Sequence, residues 1–212
     1  MKETKISGLY AITPDLHNTD DLLDKTQQVL AGGARLIQYR NKSADDALRR
    51  KQAGLLLQLC REYKVPLIIN DHIELAGGLD ADGVHVGRDD GSIGEARRQL
   101  GRDKIVGASC YNNLDLALRA EESGADYVAF GAFFPSRTKT DTVPVTTHLI
   151  DQARQRVTVP VIGIGGIRLA NAMTVIQSGC DAIAVCNDLF AAENIHTQAK
   201  QYARLFAVHH AI

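Results

Sequence analysis

Short β-rich runs and longer amphipathic stretches alternate eight times along this chain, and that alternation constrains its fold more than any other feature. The first run, Leu9-Tyr10-Ala11-Ile12-Thr13, precedes a helix expected over 19–31. Asp20 and Asp21 fall in its first turn, where carboxylates complement the helix dipole, and Gly32-Gly33 closes it. A second run at 36–40 leads into a helix reaching Tyr63, with Ser43 as its expected cap and Asp46 in a capping-box-like position. Further strands are expected at 66–70, 83–87, 104–109, 127–131, 160–165 and 182–187. Helices fall between them at 73–79, 92–100, 113–123, 147–156 and 169–178, with a last one at 191–206. Gly101, Gly124 and Gly179 stand at helix ends, the usual place for a left-handed stop.

Segments such as VPLIIN and TVPVIGIGG are apolar throughout, as strands covered on both faces should be. Strict βα alternation implies a parallel sheet, either open and doubly wound or closed into a barrel. Eight units of about 25 residues each fit a compact closed barrel with short loops. No Gly/Ser-rich or Pro-rich linker interrupts the series. The expectation is an α/β chain folded as one (β/α)8 TIM barrel over residues 1–212. One long connection, 132–147, stands out as a functional loop.

Composition narrows the function. Lys plus Arg number 24 and Asp plus Glu 25, so no positive excess points to nucleic acid or an anionic membrane. A 45% hydrophobic content suffices for a full core and argues against disorder. The four cysteines, Cys60, Cys110, Cys180 and Cys186, show neither CxxC nor zinc-ligand spacing, which suits a reducing cytosol. The opening segment MKETKISGLY lacks the apolar core of a signal peptide, and no window approaches a membrane span. A cytoplasmic protein with no evident obligate protein partner is expected.

In a (β/α)8 barrel the site forms at the C-terminal strand ends. There the sequence places Gln38, Arg40 and Lys42 after strand two, and Asn70 and Asp71 after strand three. Asp89 and Asp90 follow strand four, Ser109 ends strand five, and the long loop carries Ser136, Arg137, Thr138, Lys139 and Thr140. Strand seven ends in Gly163-Ile164-Gly165-Gly166 and strand eight in Cys186-Asn187.

Each group has a plain structural alternative. Gln38, Arg40 and Lys42 alternate along a strand and so share one direction, or they are ordinary surface charges. Asp71 and Asp90 suit helix caps or turns as well as Mg²⁺, which takes one or two carboxylates plus phosphate oxygens. GIGG lacks the third glycine of a dinucleotide fingerprint, since Arg168 stands there, and no Gly-Lys-Ser/Thr follows it. A glycine pair after strand seven nevertheless matches a barrel phosphate site, or simply a tight turn. His85 lies within strand four and reads as a core histidine rather than a general base; His72 has no HxxxH or HExxH companion. Residue chemistry alone thus points to an enzyme acting on phosphorylated small molecules, without naming them.

The motifs LYAITPD, IQYRNK, IINDHIELA, ADGVHVGRDD, IVGASC, DYVAFGAFFPSRTK and VIGIGGI together resemble the thiamine phosphate synthase family over essentially the whole chain. The resemblance implies a transferase that joins a hydroxymethylpyrimidine diphosphate to a thiazole phosphate, releasing pyrophosphate, with Mg²⁺ as cofactor. It implies that Gln38, Arg40, Lys42, Asn70, Ser109 and Lys139 bind the pyrimidine diphosphate, with Arg40, Lys42, Ser109 and Lys139 as the catalytic set. Asp71 and Asp90 would hold the metal, with Asp90 favoured over its neighbour Asp89. Ser136, Thr138, Gly166, Cys186 and Asn187 would hold the thiazole phosphate.

Two positions depart from the family pattern. Ser136 stands where Thr is usual, and strand eight ends Val185-Cys186-Asn187 where an apolar residue and then Ser is typical. A thiazole tautomerase-like barrel, a catalytically silent ligand-binding barrel and another phosphate-handling barrel are the competing readings. Asp90 and the SRTK loop weigh against the first, and QxRxK is unexplained by the last.

Overall fold

Every strand expected from the apolar runs forms in the computed structural model, which describes residues 6–87, 91–135 and 144–209. The strands are β1 (Gly8–Ile12), β2 (Leu36–Tyr39), β3 (Leu67–Asn70), β4 (Gly83–Val86), β5 (Ile105–Tyr111), β6 (Tyr127–Phe130), β7 (Val161–Ile164) and β8 (Ala182–Val185). They close into a barrel in sequence order, all pairs parallel, with β1 pairing β8 through Gly8↔Ala182 and Tyr10↔Ala184. Around them lie α1 (Thr19–Ala31), α2 (Asp46–Glu62), α3 (Ile73–Gly78), α4 (Ile93–Leu100), α5 (Leu114–Glu122), α6 (Thr147–Arg156), α7 (Leu169–Gln177), α8 (Asn187–Phe190) and α9 (Ile195–His209).

The twofold period of each strand divides the core into two shells. Leu9, Ile37, Ile69, Val84, Val128, Val161 and Ile183 belong to an outer cluster with helix residues such as Leu22, Val29, Leu56, Ile150, Val175 and Tyr202. The alternate positions, Tyr10, Ile12, Leu36, Ile68, Tyr127, Ala129, Ile162, Ala182 and Ala184, fill the interior. Burying a side chain the size of Leu or Ile contributes about 1.5–3 kcal/mol, which makes the outer shell the chief source of stability. Gly107 lacks a side chain because a Cβ there would run into the Tyr127 ring.

Three aspartates brace the opposite, N-terminal end of the barrel. Asp82, Asp126 and Asp181 directly precede β4, β6 and β8 and accept from an N–H at the start of the strand before: Leu67 at 2.8 Å, Val106 at 2.7 Å and Val161 at 2.8 Å. Asp126 and Asp181 also pair with Arg97 and Arg154.

Local corrections follow from capping chemistry. The cap of α2 is Asp45, whose side chain accepts from the Leu48 N–H at 2.8 Å, whereas the Ser43 hydroxyl is spent on Asn41 Oδ1 at 2.9 Å. The eighth strand stops at Val185, not 187: Cys186, with ψ −85°, turns the chain and caps the short α8. The last helix accordingly starts at Ile195, a separate element from α8. The long connection is anchored where described, with Phe133 and Phe134 N–H donating to the Ile164 and Gly165 carbonyls, both at 3.1 Å.

Candidate active site

Among the polar residues expected at the mouth, Gln38, Arg40, Lys42, Asn70, Asp71 and Ser109 are described, and all lie toward the C-terminal ends of β2, β3 and β5. Arg40 is held from both sides of its backbone by the buried Thr13 hydroxyl, which accepts from Arg40 N–H at 2.9 Å and donates to Arg40 C=O at 3.1 Å. Its guanidinium reaches Asp15 Oδ1 at 3.3 Å, and the same oxygen accepts from the Lys42 N–H at 2.9 Å. Asp15 therefore organises the two cations that follow β2. No role was expected for Asp15 or Thr13 from the sequence, although a carboxylate just past the first strand was the available signal.

The Lys42 ammonium extends toward β3, with Nζ 3.7 Å from Asp71 Oδ2. Asp71 is not the cap of α3; that position is His72, and its side chain makes no capping bond. Asp71 instead adopts φ 64°, a left-handed conformation that aspartate tolerates better than most residues. Its N–H donates to the His85 carbonyl at 2.9 Å, which fixes the turn that carries the carboxylate to the rim.

Gln38 sits deeper than Arg40 and Lys42 and is 3% exposed. Its amide donates to the Tyr10 hydroxyl at 2.7 Å. On the far side of the barrel Ser109 Oγ lies 2.8 Å from His85 Nε2, and His85 Nδ1 lies 3.0 Å from the Tyr127 hydroxyl. His85 is thus a buried, hydrogen-bonded core histidine, as the sequence suggested, and the group behind Ser109, which it did not.

Two tight turns complete the mouth. Gly165 and Gly166 have φ 99° and 63°, and a Cβ at Gly166 would strike the Phe134 backbone. Asn171 holds this turn by donating to the Gly166 carbonyl at 3.2 Å and accepting from Arg168 N–H at 2.7 Å. After β8, Cys186 packs against the interior cluster and Asn187 opens α8 at the surface. Burial pushes the Cys186 thiol up to about 11, against a weaker opposing pull from Arg40, so it is a neutral group at the mouth. Asp89, Asp90, Ser136, Arg137, Thr138, Lys139 and Thr140 lie outside the described residues.

Eight parallel strands with cations, hydroxyls, an amide and a carboxylate convergent at their C-terminal ends define the site of a (β/α)8 barrel enzyme. The pattern of the family described as thiamine monophosphate synthase matches residues 9–189. The chain belongs to that family. It is 51% identical over 206 residues to a thiamine-phosphate synthase of Nitrosomonas eutropha, covering 97% of each chain. A thiamine-phosphate synthase of Methylobacillus flagellatus is 53% identical over 201 residues, covering 95% of this chain and 96% of the relative. Among solved structures, a thiamine phosphate pyrophosphorylase from Pyrococcus furiosus superposes with TM-score 0.86 at 32% identity, covering 97% of this chain and 98% of that one. The family and the barrel expected from the sequence are borne out.

Proposed function

We propose that this chain couples a hydroxymethylpyrimidine diphosphate to a thiazole phosphate, giving thiamine phosphate and pyrophosphate. Thiamine phosphate synthesis is the activity that family membership supports. The observation that carries the assignment to this mouth is the linked set Asp15, Arg40, Lys42 and Asp71, which presents two cations and a carboxylate on adjacent strand ends.

In this reading Gln38, Arg40, Lys42, Asn70 and Ser109 bind the pyrimidine diphosphate, the two cations meeting its negative charge. The C–O bond to the diphosphate breaks with its electron pair leaving on pyrophosphate, and the electron-rich aminopyrimidine delocalises the resulting cation. The thiazole nitrogen lone pair then closes the C–N bond. No general base is needed, in keeping with the buried and engaged state of His85. Charge stabilisation on the leaving group by Arg40 and Lys42 is the dominant contribution, and the barrel holds the rings in line while limiting water.

Asp71 fits a Mg²⁺ ligand in its chemistry: a carboxylate 18% exposed, carried at the end of β3 with the half-exposed Lys42 ammonium 3.7 Å away. Among the described residues no three His, Cys, Asp or Glu side chains cluster for a metal, which suits an ion completed by substrate phosphate oxygens. When bound, Mg²⁺ supplies positive charge to the departing pyrophosphate. Asp90 as second ligand, Lys139 on the diphosphate, and Ser136 and Thr138 on the thiazole phosphate rest on the sequence resemblance. Backbone N–H groups at Gly166 and at Cys186-Asn187 complete the thiazole phosphate site.

No helix among the described residues is long and apolar enough to cross a membrane. Four free thiols suit a reducing compartment, so the proposal places the enzyme in the cytoplasm. The deciding experiment measures thiamine phosphate formation from the two purified substrates with and without Mg²⁺. Product that depends on Mg²⁺ is expected; tight pyrimidine diphosphate binding without product would instead mark a silent ligand-binding barrel.

A further inference from the structure

A continuous polar chain crosses the otherwise apolar barrel interior. Gln38 Nε2 donates to the Tyr10 hydroxyl at 2.7 Å, and the Tyr10 and Tyr127 hydroxyls lie 2.8 Å apart. Tyr127 reaches His85 Nδ1 at 3.0 Å, and His85 Nε2 reaches Ser109 Oγ at 2.8 Å. Five strands, β2, β1, β6, β4 and β5, each contribute one member. Tyr10 is 2% and Tyr127 0% exposed, so neither hydroxyl has water to fall back on. The rings are locked as well: Tyr10 meets Tyr127 edge-on at 5.9 Å and His85 stacks on Tyr127 at 5.6 Å.

Such a chain has a sense. Burial raises both phenols well above their ordinary range, so each keeps a single proton to give. With Gln38 donating, Tyr10 must donate to Tyr127 and Tyr127 to His85 Nδ1. An imidazole that accepts at Nδ1 carries its proton on Nε2 and donates to Ser109 Oγ. Reversing one link leaves a buried phenol proton unpaired, at a cost comparable to losing a hydrogen bond, so the links turn together or not at all. Ser109 is left with its own O–H directed onward as a donor, and the Gln38 carbonyl oxygen is left as an acceptor.

We propose that Tyr10, Tyr127 and His85 are positioning residues that join Gln38 to Ser109 in one directional hydrogen-bond chain, fixing which of the two donates and which accepts toward the pyrimidine diphosphate. The catalytic consequence rests on the reaction proposed above, whereas the direction of the chain is a property of the free protein. Tyr127→Phe removes one hydroxyl from the middle of the chain and leaves the ring packing.

The test has two independent readouts. In protein labelled with ¹⁵N-histidine, the His85 resonance, assigned by its loss in His85→Gln, should show Nε2 protonated and Nδ1 bare. In Tyr127→Phe that preference should collapse into a mixture of tautomers. In steady-state assays Tyr127→Phe should raise KM for the pyrimidine diphosphate by about ten-fold and leave KM for the thiazole phosphate unchanged. A purely structural role would instead lower the active fraction and move neither KM. Tyr10→Phe cuts the same chain at its next link and serves if Tyr127→Phe does not fold. A His85 proton on Nδ1 in the parent protein would overturn the direction, and an unchanged pyrimidine diphosphate KM in a folded variant would overturn the positioning role. If the parent protein makes no thiamine phosphate, the reaction proposal fails while the tautomer measurement still decides the chain.

Discussion

Lys42 and Asp71 face each other across the gap between β2 and β3, Nζ to Oδ2 at 3.7 Å, with the lysine 59% and the aspartate 18% exposed. So long and exposed a pair contributes at most about 1 kcal/mol to stability. It keeps a cation and a carboxylate side by side, the pairing that the proposed reaction requires for a diphosphate and its metal. Lys42→Ala should therefore raise KM for the pyrimidine diphosphate about ten-fold while leaving the melting temperature nearly unchanged. Calorimetric titration showing parental affinity would remove the diphosphate role.

Asp71 is best probed with Asn, which tolerates the left-handed backbone that Ala would strain. Asp71→Asn should keep parental thermal stability and lose turnover about a hundred-fold, with a higher Mg²⁺ requirement. The same Mg²⁺ dependence in variant and parent would exclude Asp71 as a ligand.

Asp15 gives a sharper test of preorganisation, since it touches Arg40 and the Lys42 backbone. In Asp15→Ala both cations lose their common anchor. KM for the pyrimidine diphosphate should rise about three- to ten-fold with a stability change below about 1 kcal/mol. Parental kinetics in this variant would show that the cations hold their places unaided.

At the opposite end of the barrel the expectation inverts. Asp126→Ala leaves the Val106 N–H and Arg97 without their shared acceptor and should cost about 1–3 kcal/mol in chemical denaturation. Neither KM should change per folded molecule, because the hydrogen-bond partners of the Asp126 carboxylate among the described residues are Arg97 and the Val106 N–H, both away from the mouth. A selective KM effect would mean that the two ends are coupled.

Strand eight yields a pH prediction. Desolvation disfavours the Cys186 thiolate and pushes its titration up to about 11, above the ordinary thiol value, so the reactive form is scarce at neutrality. Alkylation of Cys186, followed by mass spectrometry, should be slow at pH 7 and accelerate continuously well past pH 9. A plateau by pH 9 would contradict that environment. Its neighbour Asn187 opens α8 through its backbone, so Asn187→Ser should change thiazole phosphate affinity less than about two-fold. A large gain would show that a hydroxyl is needed there.

The alternation of apolar runs and amphipathic stretches was enough to specify eight strands, their parallel arrangement and the end at which a site forms. These follow from local chemistry: a strand buried on both faces must be apolar throughout, and its helix must cover it. The polar positions Gln38, Arg40, Lys42, Asn70, Asp71 and Ser109 were visible in the sequence as breaks in apolar runs near the strand ends, although β5 runs on to Tyr111 and does not stop at Ser109 as expected. Boundaries set by competition between neighbouring caps were less so, as Ser43 yielding to Asp45 and the early stop at Val185 show.

Contacts that span the barrel were decided by the tertiary structure alone. Tyr10 and Tyr127 are 117 residues apart, and each reads along the chain as one more aromatic in an apolar strand. Only barrel closure turns both inward, and only the absent side chain of Gly107 gives Tyr127 its space. Asp15 likewise gains its partners 25 and 27 residues later, when β1 and β2 pair. Periodicity along the chain determines which face a residue presents, because it is set by backbone geometry. Which groups meet across that face depends on strand register and closure, which the whole barrel fixes at once.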